Sequence, residues 1–185
     1  MINKREISEK AWQEAWITED VIFGRAFENP KNCTKLLRAV LPNLNIRSTQ
    51  PFIQRNIKEN VQDKGIRLDV LAVDDRGRRY DIEMQTTDSN SLGNRLRYYQ
   101  SKMDTHSLYS GENYKQLAQT YVIFFFPFDP FNDGRVRYTF KLRCEENYSI
   151  KLNTNSHLIL LNSTGTKGKV SSDLKSFFAL MNRIQ

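Results

Sequence analysis

Residues 66–85 constrain this chain more than any other stretch. Ile66-Arg67-Leu68-Asp69-Val70-Leu71-Ala72-Val73 is a largely apolar run of strand length. Asp74-Asp75-Arg76-Gly77 has the composition of a tight turn, with a glycine available for positive φ. Arg78-Arg79-Tyr80-Asp81-Ile82-Glu83-Met84-Gln85 then returns as a partner strand. A hairpin centred on Arg76 puts Asp69 opposite Glu83, with Cβ atoms roughly 5 Å apart. Gln85 follows Glu83 by two residues and shares its face.

Aspartate is depleted in strands, and like charges directly opposite one another destabilise a sheet. Partly buried carboxylates must find a partner or shift their pKa upward. A hard divalent cation is one partner. Mg²⁺ takes oxygen ligands, typically one or two carboxylates with waters and a substrate phosphate, and a metal so held can activate water against a phosphodiester. Gln85 could orient that water through its amide. A plainer arrangement, in which Asp69, Glu83 and Gln85 are satisfied by arginines such as Arg67 or Arg95, fits the same spacing.

The remaining pattern reads as one continuous α/β domain. Ile7, Ala11 and Ala15, with Trp12 and Trp16, suggest an N-terminal amphipathic helix over 1–17. Thr18-Glu19-Asp20 has the character of a helix start, a hydroxyl cap followed by acids. Pro30 is expected to end that helix and Asn32 to cap the next, which stops at Pro42-Asn43. A short strand is expected over 52–59. Leu92, Leu96, Tyr99 and Met103 define a helix face, with Gly111 marking its end. Tyr121–Phe126 reads as a buried strand. Val136, Tyr138, Phe140, Leu142 and Cys144 alternate with Arg135, Arg137, Thr139, Lys141 and Arg143, the pattern of a half-exposed strand with a basic outer face. His157–Leu161 is a further strand, and a last helix is capped by Ser171 or Ser172.

Composition narrows the function classes. The 185 residues carry 28 Lys and Arg against 21 Asp and Glu, a net charge of +7. Residues 1–85 have 15 basic and 13 acidic side chains, and residues 86–185 have 13 and 8, so most of the excess lies after the hairpin. Such a surplus favours a polyanionic partner, nucleic acid being the commonest. No apolar stretch is long enough for a membrane span. Cys33 and Cys144 form no CxxC pair, which leaves a zinc or redox motif unsupported. With a polar N-terminus rather than a signal core, a reducing cytoplasm is the expected location. Phosphate-loop, dinucleotide, serine-hydrolase and deaminase signatures are missing from the sequence.

With Asp69 and the intact Ile82-Glu83-Met84-Gln85 on a hairpin, the chain resembles the PD-(D/E)xK nuclease superfamily, in its recombination-promoting nuclease and putative transposase branch. The resemblance covers roughly residues 18–145. It includes Asp20-Val21-Ile22-Phe23, the run from Arg67 to Gly77, the Arg95-Leu96-Arg97-Tyr98-Tyr99 helix, and Gly111-Glu112-Asn113-Tyr114. It implies a restriction-endonuclease-like αβββαβ core, a mixed sheet flanked by helices, over residues 18–185 after the 1–17 helix. Typical chains of the branch are longer, so a C-terminal portion would be absent here.

The resemblance also implies metal-dependent hydrolysis of DNA phosphodiester bonds, that is, a Mg²⁺ (or Mn²⁺) dependent endonuclease with a transposase-like or recombination-promoting role. Asp69, Glu83 and Gln85 would be catalytic. Asp69, Glu83 and the backbone carbonyl of Met84 would be the metal ligands. Gln85 stands where the superfamily's usual Lys sits, and a neutral amide offers the transition state no positive charge.

Arg95, Arg97 and Tyr98 are candidates for DNA contact, with Arg95 expected near the carboxylates and Tyr99 buried. Arg135, Arg137, Lys141 and Arg143 are candidates for a second DNA-tracking surface. A homodimer is a plausible assembly for cutting both strands. A catalytically silent nucleic-acid-binding domain of the same fold and a protein-interaction module are the alternative readings.

Overall fold

The structure is a computed structural model that describes residues 16–57, 66–88 and 90–182. The helix expected over 1–17 falls almost entirely outside them. The elements run α1 (Asp20–Glu28), α2 (Pro30–Val40), β1 (Thr49–Ile57), β2 (Ile66–Asp74), β3 (Arg79–Met84), α3 (Leu92–Thr105), a 3-10 turn (Tyr114–Gln116), β4 (Thr120–Phe126), β5 (Arg137–Phe140), β6 (Ser156–Asn162) and α4 (Ser172–Met181). Among the described residues the strands form one six-stranded sheet in the order β1-β2-β3-β4-β6-β5. β1, β2 and β3 pair antiparallel, β3, β4 and β6 run parallel, and β5 closes the far edge antiparallel. The parallel step from β3 to β4 needs a crossover, which α3 supplies. This is the mixed α/β sheet flanked by helices that the sequence led us to expect.

Each face of the sheet has its own core. On one, Phe23 of α1, Leu37 of α2 and Phe177 of α4 pack on Val70, Ala72, Ile82, Ile123 and Phe125. On the other, Leu96, Tyr99 and Met103 of α3 pack on Val122, Phe124, Phe126 and Leu160. β4 is covered on both faces, so all seven of its residues are buried, and after Thr120 its sequence is an unbroken apolar and aromatic run. Phe125 meets Phe177 edge to face at 5.0 Å, and Phe23 meets Phe27 in the same way at 5.0 Å. Each such buried side chain contributes about 1.5–3 kcal/mol.

Two details hold the parts that matter for the site. The hairpin turn is fixed by Gly77 at φ 74° and by the buried Asp74. Asp74 Oδ1 accepts from the Arg76 and Arg78 amides, and its Oδ2 accepts from Arg78 Nε at 2.6 Å and from the Tyr80 hydroxyl at 2.7 Å. The pairs Val73–Arg79, Ala72–Tyr80, Leu71–Asp81 and Val70–Ile82 follow, a register centred on Arg76. Gly24 lets α1 lie close against β1. A Cβ there would stand 2.8 Å from Ile53 Cγ2.

Several local expectations are corrected. The N-cap of α1 is Glu19, without a side-chain cap bond, and Thr18 is buried instead of capping. Asn29, not Asn32, caps α2, accepting from the Lys31 amide at 2.9 Å. Pro30 begins that helix rather than ending the previous one, because the first turn has no use for a proline's missing N–H. Asn32 instead donates to the Ala26 carbonyl. β1 starts earlier than expected, at Thr49. α3 ends at Thr105, well before Gly111, as the His106 and Ser107 amides fold back onto the Lys102 and Asp104 carbonyls. The strand expected from Val136 to Cys144 is only Arg137–Phe140. Beyond Phe140 the chain leaves β6, and Arg143 bridges to Lys151 within its own loop. Ser171 is the cap of α4, accepting from Leu174 N.

Candidate active site

β2 does not keep one face inward along its whole length. Val70 and Ala72 belong to the core under α1, whereas Ile66 and Leu68, at the same alternation, belong to the core under α3. The strand changes face at Asp69, and the β2–β3 ladder stops one pair short of it, at Val70–Ile82. Two strand amides at this point find side chains instead. The Asp69 amide donates to Glu83 Oε1 at 2.9 Å, and the Met84 amide donates to Asp69 Oδ2 at 3.1 Å. Each carboxylate thus takes a hydrogen bond from the other's strand.

These carboxylates line one polar cavity of about 320 Å³, together with Asp20, Arg67, Met84, Gln85, Thr86, Thr87 and Arg95. Asp69 is 8 % exposed and Glu83 2 %. Burial is the main reason the Asp69 carboxyl is pushed up to about 6; the Met84 amide opposes it and the Asp20 charge adds to it. Glu83 is held well above the usual carboxylate range, first by burial and then by the charges of Asp81 and Asp69. Asp81, two residues earlier on the same face and fully buried, has no donor to either oxygen among the described groups. Burial pushes it up to about 8. Burial and mutual repulsion thus disfavour charge on both Asp81 and Glu83.

α3 delivers the positive charge. Arg95 Nη2 stands 3.4 Å from Glu83 Oε2 and donates to the Tyr99 hydroxyl at 3.1 Å, and Nη1 donates to Gln85 Oε1. Its guanidinium lies 5.1 Å from the Tyr99 ring centre and 5.2 Å from that of Phe124. The nitrogen of the Gln85 amide donates to the Thr87 carbonyl at 2.5 Å, and the Gln85 backbone amide extends the pairing to β4 through Phe125 O at 2.8 Å. Both ends of the Gln85 amide are thus engaged. Tyr99 is buried and Arg95 meets the carboxylates.

Asp69, Glu83, Met84, Gln85 and Arg95 come together in the cavity. Arg97 and Tyr98 line a second, larger cavity of about 880 Å³ along α3, and its wall shares Arg67 and Arg95 with the first. The basic residues of the 135–143 segment lie elsewhere. Arg135 pairs with Asp133 at 2.6 Å. Arg137 turns inward and donates to the Val40 carbonyl, and burial lowers its pKa. Lys141 and Arg143 follow β5 toward the end of the sheet away from Glu83, since Arg137 pairs with Leu161 and Phe140 with Leu158.

Asp20, Asp81, Thr86 and Thr87 belong to this site without being site candidates in the sequence. Asp20 reaches the cavity because Phe23, one turn on and fully buried, anchors the same face of α1 in the core. Its signal was the spacing Asp-x-x-Phe.

The oxygen-bearing side chains that line the cavity are the carboxylates of Asp20, Asp69 and Glu83, the Gln85 amide and the hydroxyls of Thr86 and Thr87. Among the described residues no group of three or more His, Cys, Asp or Glu is close enough to hold a metal by itself. Nor is any helix among the described residues long and apolar enough to cross a membrane. No curated protein and no solved structure matches the chain. The family model of the PD-(D/E)XK nuclease family transposases matches residues 20–180, a span that includes both carboxylates, Gln85 and all of α3, and the chain belongs to that family.

Proposed function

We propose that the protein is a metal-dependent DNA endonuclease that hydrolyses phosphodiester bonds in a transposase-like or recombination-promoting setting. The observation that carries this reading is the exchange between Asp69 and Glu83: two buried carboxylates, each fixed by the other's strand, open on one polar cavity. Nucleases of this superfamily generally use divalent metals, and the oxygen donor set favours Mg²⁺ or Mn²⁺ over softer ions. Asp69, Glu83 and the Met84 carbonyl would hold it. When bound, such an ion lowers the pKa of a water and neutralises charge on the phosphoryl oxygens.

The chain's own residues do the rest. The Asp69 and Met84 amides lock the two carboxylates in place, so no rotamer must be ordered when substrate arrives. Gln85 is fixed between Arg95 and Thr87, and it holds the wall nearest the carboxylates. Arg67, Arg97 and Tyr98 line the way along α3, where phosphates and bases of DNA would lie.

A second reading has its own observation: Arg95 already satisfies Glu83 and Gln85, as it would in a silent DNA-binding domain. Supercoiled plasmid separates the two. Nicking in Mg²⁺ that disappears in chelator, and in Asp69→Asn and Glu83→Gln, supports the nuclease. Salt-sensitive binding without nicking supports the silent domain.

A further inference from the structure

We propose that Arg95 is a catalytic residue of this site, the fixed cation that meets the negative charge developing on the reacting phosphate. The inference rests on the nuclease reading above.

Displacement at a phosphodiester concentrates negative charge on non-bridging and leaving oxygens, and preorganised donors aimed at that charge are a large part of catalysis. The cavity around Asp69 and Glu83 is itself acidic, with Asp20 on its rim. Gln85 brings no charge, and its amide is already bonded at both ends. Among the described residues, Arg67 and Arg95 are the two cations on the wall, and they are also the two shared with the larger cavity where DNA would lie.

Among the described residues, Arg95 is the cation held against a carboxylate of the pair, that of Glu83. Contacts to Gln85, Glu83 and Tyr99 use three of its five N–H donors among the described contacts, and the rings of Tyr99 and Phe124 flank its plane. A guanidinium fixed in this way retains donors for a phosphate and needs no reorganisation when the charge appears. Arg67 and Arg95 both act on Asp69 through charge alone, and Arg67 is exposed, so what distinguishes Arg95 is its fixed contacts.

The touching of Arg95 and Gln85 makes the idea testable by charge relocation. A lysine at position 85 would carry a cation to the point that Arg95 Nη1 now occupies. Single-turnover nicking of plasmid in Mg²⁺ is measured for wild type, Arg95→Gln, Arg95→Lys, and Arg95→Gln combined with Gln85→Lys. Duplex affinity is measured in Ca²⁺ by fluorescence anisotropy, and folding by thermal melts.

Arg95→Gln is expected to lose roughly 100-fold in rate while affinity changes less than about threefold. Adding Gln85→Lys is expected to recover about tenfold or more, and Arg95→Lys to stay within about tenfold of wild type. Should Arg95→Gln fail to fold, the lysine variant carries the test. Arg95→Lys as slow as Asp69→Asn, a loss that tracks DNA affinity, or no recovery on adding Gln85→Lys would each overturn the role of Arg95 while the nuclease reading stands. A wild-type protein that does not nick under any of these conditions would overturn both.

Discussion

Asp69 and Glu83 exchange backbone hydrogen bonds through their side chains: the Asp69 amide donates to Glu83 Oε1, and the Met84 amide donates to Asp69 Oδ2. The ladder between β2 and β3 would ordinarily supply these partners. Because β2 changes face at Asp69, the amides are released and the carboxylates take them up. The same distortion that would weaken a sheet therefore sets both carboxylates in place. A buried carboxylate accepting an amide is better off than a bare one, but both remain shifted upward, so burial outweighs the bonds.

Replacing Asp69 by Asn keeps an oxygen for the Met84 amide and removes the charge that burial penalises. At pH 8 the metal-free Asp69→Asn protein is expected to gain on the order of 1 kcal/mol after allowance for its partial exposure. That corresponds to a melting temperature higher by about 2–4 °C. Nicking activity should fall by roughly 100-fold or more. Thermal melts in chelator and a plasmid assay in Mg²⁺ check the two halves, and a variant less stable than wild type would sink the argument from burial.

The pH dependence has a definite sign. Asp69, at about 6, and Asp81, at about 8, bind protons more tightly in the folded protein than in the unfolded chain, and Glu83 is shifted the same way. The stability they contribute is full below the ordinary carboxylate range near pH ~4 and is lost as pH rises toward about 8. Asp75, Asp129 and Glu146 are shifted down, and their contribution is lost only below that window. Melting temperature in chelator is expected to drop between pH 4.5 and 8.5, by on the order of 5 °C. Mg²⁺ should restore most of the drop at the alkaline end, because it binds the deprotonated pair. A flat metal-free profile would count against the raised pKa values.

How much of this could be read in advance depends on the range of the interaction. The hairpin register follows from local signals, Gly77 for the turn and alternation around Arg76, and the observed pairs match it. The buried β4 and the Arg95 helix were likewise legible, because apolar periodicity records burial directly. The change of face at Asp69 was not: Leu68 and Val70 look equivalent in sequence, and only the packing of α1 on one side and α3 on the other distinguishes them. Asp20 entered the cavity through tertiary packing of Phe23. The alternation from Arg135 to Arg143 overstates the length of the strand, since charge spacing cannot tell that Arg137 will turn onto the Val40 carbonyl or that pairing with β6 stops at Phe140. The Asn29 cap is hidden in the sequence because a proline stops one helix as readily as it starts the next.

Gly24 is where stability and site geometry meet. An alanine there would gain about 0.8–1 kcal/mol of helix propensity, yet its Cβ would lie 2.8 Å from Ile53 Cγ2, a branched methyl with little room to yield. Overpacking of this kind costs roughly 1–3 kcal/mol. Gly24→Ala is expected to lower the denaturant midpoint with an unchanged slope. It should also reduce activity several-fold, by moving α1 and with it Asp20. An unaltered midpoint would mean that α1 has slack against β1.

The two basic regions should separate by assay. Arg97 is exposed on the wall of the cavity that adjoins the carboxylates, so Arg97→Ala is expected to weaken duplex binding several-fold and to reduce the salt slope by about one. Arg137 instead ties β5 to the last carbonyl of α2. Arg137→Ala should leave binding nearly unchanged and cost about 1 kcal/mol of stability. Lys141 and Arg143 sit toward the end of the sheet away from Glu83, so their alanine variants should alter affinity less than Arg97→Ala does. Anisotropy titrations across a salt series, beside thermal melts, make the comparison. If Lys141→Ala and Arg143→Ala weaken binding more than Arg97→Ala, the DNA runs along β5 and not along α3, because an exposed cation contributes to binding only where a phosphate passes within its reach.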